Sequence, residues 1–173
     1  MRMINLRSAA AAAALLSFAA IAYAAPQEEA FAERFDGAWR GSGTVQENFQ
    51  SSTHRISCRM TGEGQGTAIS VDGSCRAAII FTRQLGAQVT YDPATGLYTG
   101  TYVGSPTGPA QLAGKRQGDV INLTVNWAQP VNGNRNARMT IVNTGSGLRI
   151  VMTDQENGQG PWKPMVDINL GQS

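Results

Sequence analysis

His54, the only histidine of the chain, is the first candidate for chemistry, because general acid–base catalysis and metal ligation most often use imidazole. It shares an alternating run with Ile56 and Cys58, which predicts that its ring lies on the inner register near the start of a strand. It could contact a ligand or coordinate a haem iron, but a hydrogen bond at a strand end is the favoured role. One histidine is too few for a multi-histidine zinc site, so neither a metal site nor a cofactor is predicted.

Hydrolytic chemistry has no clear set of residues here. No Gly-x-Ser-x-Gly turn occurs, and Ser51 and Ser52 lie in a polar loop. The glycine run 62–66 joins two predicted strands with no helix after it, so it predicts a flexible hairpin loop rather than a phosphate loop. The chain is therefore predicted not to be an enzyme and no catalytic residue is assigned, with a hydrolase as the minor alternative. Carboxylates that could pair for glycoside chemistry fall mainly in turns or on outward positions: Glu47, Glu63, Asp72, Asp92, Asp119, Asp154, Glu156 and Asp167.

The chain has two cysteines, Cys58 and Cys75, both on inward registers of neighbouring predicted strands. An even pair in an oxidising compartment usually forms a disulfide. The spacing is too long for a Cys-x-x-Cys redox motif, and there is no further cysteine for a metal site. A structural disulfide is predicted.

The elements that must position these residues are nearly all strands. Residues 28–36 predict a short helix with Phe31 and Phe35 on one face, and from Gly37 onward apolar residues recur with a period of two. Asp72-Gly73 predicts a hairpin turn. About ten short strands follow one another at roughly ten-residue spacing. This predicts an all-β fold, an antiparallel up-and-down β-barrel of about 8–10 strands with a short N-terminal helix.

The first two dozen residues have the features of an export signal. Arg2 and Arg7 precede an apolar stretch too short to span a bilayer, and Ala22-Tyr23-Ala24 resembles a cleavage site. Residues 1–24 are therefore predicted to be a signal peptide and residues 25–173 a single barrel domain, periplasmic or extracellular, without a transmembrane segment. The remainder has twelve cationic and twelve acidic residues. Its arginines are spread about one to a strand, which predicts solvated strand faces and no nucleic-acid partner.

Gly37-x-Trp39 after a short helix, at the start of the first strand, resembles the calycin group: lipocalins, fatty-acid-binding proteins and avidins. The resemblance implies that Trp39 closes the base of the barrel and that a late arginine, by position Arg149, packs across its ring. The Gly-x-Trp strand and the cysteine pair are also similar to those of small secreted bacterial proteins of uncharacterised role. That second resemblance implies no activity.

Small residues on positions predicted to face inward, among them Ala77, Thr99 and Thr101, predict an interior that is not filled completely. The predicted function is binding of a small, mainly apolar molecule in a pocket open at the end away from Trp39. The alternative is a solid-core envelope or inhibitor-type protein that binds another protein through its loops at 46–53, 104–109, 129–136 and 154–164. The tentative ligand-binding residues are Ile79, Phe81, Leu123, Val125, Met139, Ile150 and Trp162.

Overall fold

The structure is a computed structural model and describes residues 25–77 and 81–173. The predicted signal peptide and Ile79 lie outside the described residues. Helix α1 covers residues 25–32 and continues as a 3-10 turn, Glu33–Phe35. Ten strands follow: β1 (Gly37–Val45), β2 (His54–Gln65), β3 (Ala68–Ala77), β4 (Phe81–Asp92), β5 (Leu97–Val103), β6 (Ala110–Gln117), β7 (Val120–Val131), β8 (Asn134–Asn143), β9 (Gly147–Asp154) and β10 (Lys163–Gln172).

The strands form a closed barrel. Each strand pairs antiparallel with the next along the chain, and β1 also pairs with β10, from Trp39 opposite Gln172 to Val45 opposite Val166. Strict alternation of buried and exposed residues along β2 and β7 gives each of these strands one apolar face. Closure puts these faces inside and pairs both edges of the sheet. The predicted all-β up-and-down barrel with a short N-terminal helix is confirmed.

Two local predictions in the strands are wrong. Asp72-Gly73 lies inside β3 rather than in a hairpin turn, and the chain reverses before β3 at Gly66, whose φ is +57°. A Cβ at Gly73 would overlap the carbonyl oxygen of Arg59, so this glycine is needed for the close approach of β2 and not for a turn. In β5 the inward register is one residue away from the prediction, since Tyr98 is fully buried and Thr99 is exposed.

The N-terminal helix closes one end of the barrel, which we call the base. Phe31 and Phe35 meet edge to face with their ring centres 5.5 Å apart, and both are buried with Trp39. The Trp39 indole nitrogen donates a 2.8 Å hydrogen bond to the carbonyl oxygen of Phe35. Gly62 and Gly64 belong to β2, where a side chain would overlap carbonyl oxygens of the helix end. The prediction of a flexible glycine loop is therefore wrong at these two positions, because the helix packs against this part of β2 only where the strand has no side chains.

The predicted disulfide is confirmed. Cys58 and Cys75 lie directly opposite each other on β2 and β3, with their Cα atoms 4.1 Å apart, and are bonded. Such a bond fits an extracellular or periplasmic site. None of the helices among the described residues has the length and apolar character needed to cross a bilayer.

Candidate functional site

The end of the barrel opposite the helix, which we call the mouth, carries the connections between β1 and β2, β5 and β6, β7 and β8, and β9 and β10. The alternating strand directions put these connections at one end, because β1 runs away from the helix and each later strand reverses. Four segments suggested from the sequence as contact loops, 46–53, 104–109, 129–136 and 154–164, therefore share the mouth. The base carries the opposite set of connections.

An apolar cavity of about 250 Å³ lies inside the barrel. Its wall is formed by β1–β4 and β8–β10, with Tyr102 contributed by β5. Residues from the mouth, such as Glu47 and Phe81, take part in its lining, so the cavity extends to that end. Most of the lining is aliphatic or sulfur-containing. Examples are Ile56, Val71, Leu85, Met139, Ile150 and Ile168.

The cavity lies to one side because the rest of the interior is filled. Leu112 on β6 and Leu123 and Val125 on β7 are buried but do not line it. Tyr102 and Trp127 meet edge to face, with ring centres 6.1 Å apart. A barrel of eight strands is just wide enough for side chains to fill, and diameter grows with strand number. Ten strands thus enclose more volume than these side chains occupy.

Polar groups of the cavity are concentrated toward the mouth. Glu47, Thr82 and Arg83 line it there, and an Arg83 Nη1 atom donates a 3.3 Å hydrogen bond to the carbonyl oxygen of Gly104. Burial raises the pKa of Tyr102 to about 12, and the positive charge of Arg83 opposes this shift only in part. Tyr102 thus supplies a neutral phenol at physiological pH.

Trp127 has an unusual environment for a core tryptophan. It is 6% exposed, and its indole nitrogen finds no hydrogen-bond acceptor among the described residues. An unsatisfied buried donor costs about 1–3 kcal/mol. Because Tyr102 contacts Trp127 and lines the cavity, the fluorescence of this tryptophan should respond to occupancy.

Three of the residues predicted to contact a ligand line the cavity: Phe81, Met139 and Ile150. Phe81 is 68% exposed and lies at the mouth, at the start of β4. Leu123 and Val125 belong instead to the filled side, because the cavity is off-centre and the sequence pattern carries no information on that asymmetry. The role of all five in binding stays a prediction.

Trp162 and Arg149 lie away from the cavity. Trp162 is half-buried with the Arg138 guanidinium carbon 3.9 Å from its ring centre. Arg149 pairs with Asp167 at 2.7 Å on the outer face of β9 and β10, so it does not pack across the inward Trp39 ring as the resemblance implied. Gly37, with φ +113°, begins the strand that carries Trp39.

The contribution of β4 to the cavity was not predicted from the sequence. Leu85, Ala87 and Arg83 line the cavity from this strand, and none of the three was among the residues predicted to contact a ligand. An alternating apolar signal exists at residues 85, 87, 89 and 91, but the polar residues 82–84 conceal the start of the strand. Tyr102 was missed because of the register error in β5.

No metal centre is found among residues 25–77 and 81–173, since no group of three His, Cys, Asp or Glu side chains could hold an ion there. His54 is exposed at the start of β2 and does not line the cavity.

Fold and site together define a ten-stranded, closed, antiparallel β-barrel with a helix-capped base and an apolar internal cavity. A similar solved structure is the crystal structure of Rv2717c from M. tuberculosis, with a TM-score of 0.62 and 15% sequence identity. The match covers 81% of this chain and 93% of that one. At this identity the similarity concerns the fold. No protein-family model and no curated protein sequence matches the chain.

Proposed function

We propose that this barrel is a non-catalytic binding protein that holds one small, mainly apolar molecule in its internal cavity. The observation that carries this proposal is the apolar cavity of about 250 Å³ that reaches the mouth. Cavities of about 150 Å³ can bind benzene, and pockets for drug-sized ligands span about 300–1,000 Å³. The ligand should therefore be larger than benzene and smaller than a typical drug molecule.

The distribution of polar groups supports an orientation for this ligand. The inner wall consists of side chains such as Ile168 and Met152, which offer no hydrogen bonds. Donors and acceptors lie toward the mouth, where Arg83 and Glu47 meet solvent. An apolar body would enter first, and any polar substituent would stay near the mouth, because a buried polar group without a partner is costly.

The test is a titration with an uncharged apolar fluorophore, N-phenylnaphthylamine, combined with native mass spectrometry of the purified protein. We expect saturable binding and a change in tryptophan emission. Ala87→Leu adds volume inside the cavity and should weaken binding about tenfold or abolish it. Ala113→Leu is the matched control, because Ala113 lies on the outward register of β6 and does not line the cavity.

Two results would contradict the proposal. One is a protein that purifies empty and binds neither this fluorophore nor a series of smaller hydrocarbons. The other is equal weakening by Ala87→Leu and Ala113→Leu, which would place the fluorophore outside the cavity.

A second candidate function, binding of an envelope protein through the mouth loops, is supported by exposed apolar side chains. Phe81 and Val103 are large hydrophobic residues exposed by 68% and 52%, and both lie at the mouth end of their strands. Exposed apolar surface of this kind is typical of interaction sites. A photo-crosslinker at Val103 should give one discrete adduct in cells, whereas the same group at Lys115 near the base should give none. Loss of that adduct with retained fluorophore binding in a Phe49→Ser variant would separate the two functions, because Phe49 lies in the mouth segment 46–53 and does not line the cavity.

A further inference from the structure

Three arginines come together on the outer wall of the barrel. Arg40, Arg59 and Arg76 are exposed residues of the adjacent strands β1, β2 and β3. Arg40 lies directly opposite Arg59, while Arg59 faces Ser74 and Arg76 faces Ser57 across the β2–β3 pair. Side chains directly opposite in an antiparallel pair have Cβ atoms about 4.5–5.5 Å apart, and diagonal neighbours about 7–8 Å. We call this group the arginine cluster.

In the part of the chain that the structure describes, no carboxylate forms an ion pair with Arg40, Arg59 or Arg76. The three ion pairs within residues 25–77 and 81–173 use other arginines, at positions 34, 116 and 149. Like charges placed directly opposite on a sheet repel each other and destabilise the pairing. A bound anion would attract each of these guanidinium groups and so offset the repulsion between them.

The cluster surrounds a depression with hydroxyl groups on its walls. The depression has a volume of about 440 Å³, and no carboxylate lines it. Hydroxyl donors come from Ser57, Ser74 and Thr82.

We propose that the arginine cluster is a binding site for a phosphate group. Guanidinium groups donate paired hydrogen bonds in a planar fork that matches phosphate oxygens, and hydroxyls can donate to the oxygens that remain. Three arginines from three adjacent strands line one depression, and this arrangement suits a compact phosphate anion. The site lies on the outer wall and does not require the cavity to be occupied. The phosphate could be free or carried as an ester on a lipid headgroup.

The test measures binding of inorganic phosphate by calorimetry at low ionic strength. Arg59→Gln should weaken binding about tenfold or more, since it removes the arginine between the other two. Arg55→Gln is the matched control: Arg55 is exposed on the outward register of the same strand but does not line the depression. It should change the affinity less than about threefold. Arg59→Gln should leave the thermal midpoint unchanged or raise it, because it relieves repulsion.

A second arm separates the two sources of phosphate. Vesicles of phosphatidylglycerol are compared with vesicles of phosphatidylcholine, using wild type, Arg59→Gln and Arg55→Gln. Binding of phosphatidylglycerol that is lost in Arg59→Gln alone, without binding of inorganic phosphate, identifies a lipid ester as the source. Binding of inorganic phosphate with the same selectivity identifies the free ion. The proposal is overturned if neither binds, or if Arg55→Gln weakens binding as much as Arg59→Gln, because the attraction would then be diffuse.

Discussion

At the scale of single residues, the best-defined polar group of the barrel is the network that ties the helix to the base. Glu28 accepts hydrogen bonds from Arg116 at 2.6 and 2.9 Å and from the Tyr98 hydroxyl. The Arg116 guanidinium carbon also lies 4.6 Å from the ring centre of Phe31. Glu28 and Tyr98 are buried and Arg116 is largely buried, so these three side chains depend on one another for hydrogen bonds.

Arg116→Gln should destabilise the protein by about 3 kcal/mol, because it leaves the Glu28 carboxylate largely buried without its cation. The control is Arg34→Gln, which removes another arginine over the same Phe31 ring. The Arg34–Asp119 pair is exposed, so its loss should cost less than about 1 kcal/mol. Urea unfolding measures both. Equal losses would show that the network contributes no more than a surface pair.

The buried tyrosines predict a loss of stability in alkali. Burial and the negative charge of Glu28 raise the pKa of Tyr98, and burial raises the pKa of Tyr102 to about 12. An unfolded tyrosine ionises near pH 10. The stability that comes from keeping these phenols neutral is therefore complete below about pH 10 and is lost as the pH rises toward about 12, with a slope of at most about 1.4 kcal/mol per pH unit for each tyrosine.

Unfolding by urea across this pH range, followed together with phenolate absorbance, measures the effect. Tyr102→Phe should make the stability less dependent on pH. The expectation fails if the folded protein forms phenolate near pH 10 without losing stability.

At the scale of elements, the seam between β1 and β10 decides whether the barrel closes. Gly41 and Gly43 face inward opposite Leu170 and Ile168. A Cβ at either glycine would overlap a backbone carbonyl oxygen of β10. Absence of these side chains lets the two terminal strands coil closely around each other, which a closed sheet requires at tight bends.

Gly41→Ala should destabilise the barrel by about 1–3 kcal/mol, because the added methyl group overlaps the Asn169 carbonyl oxygen. Gly171→Ala is the matched control on the partner strand, where an added Cβ meets no atom within 4 Å. That variant should be nearly neutral. Thermal unfolding followed by circular dichroism compares the two. A Gly41→Ala variant as stable as Gly171→Ala would mean that the seam tolerates wider spacing.

At the scale of the whole molecule, the barrel has a filled side and a hollow side. Leu112, Leu123 and Val125 pack closely on the filled side, whereas β1–β4 and β8–β10 border the cavity. Dense packing stabilises the filled side, whereas the side chains that border the cavity make fewer van der Waals contacts. The one disulfide joins two strands of the hollow side.

Truncations on the two sides should differ in cost. Leu123→Ala should lose about 2–5 kcal/mol, because Leu123 is 3% exposed and fully packed. Ile150→Ala should lose only about 1–2 kcal/mol, because Ile150 already borders empty volume and is half-buried. Denaturant unfolding of the ligand-free protein tests this difference. Equal losses of unfolding free energy would indicate that Ile150 is as fully packed as Leu123 in solution, with no empty volume beside it.

Removal of the disulfide should destabilise the hollow side most directly. The bond closes a loop with a sequence separation of 17, so the double variant Cys58→Ala/Cys75→Ala should lose about 3 kcal/mol. Urea midpoints with and without reductant measure the loss. Reductant should lower the midpoint of the wild type and leave that of the variant unchanged. A wild-type midpoint that does not respond to complete reduction would contradict this expectation.

The sequence by itself determined the all-β barrel, the helix, the buried Trp39 and the Cys58–Cys75 bond, because a period of two and the pairing of neighbouring strands are local properties of the chain. It did not determine which side of the interior is empty, nor that Arg40 and Arg59 face each other across strands. Both depend on the register between strands and on how ten strands share one perimeter. Those quantities are fixed only when the barrel closes. A shift of one residue in the register of a strand exchanges its inner and outer faces. In β5 this difference puts Tyr98 inside and leaves Thr99 exposed.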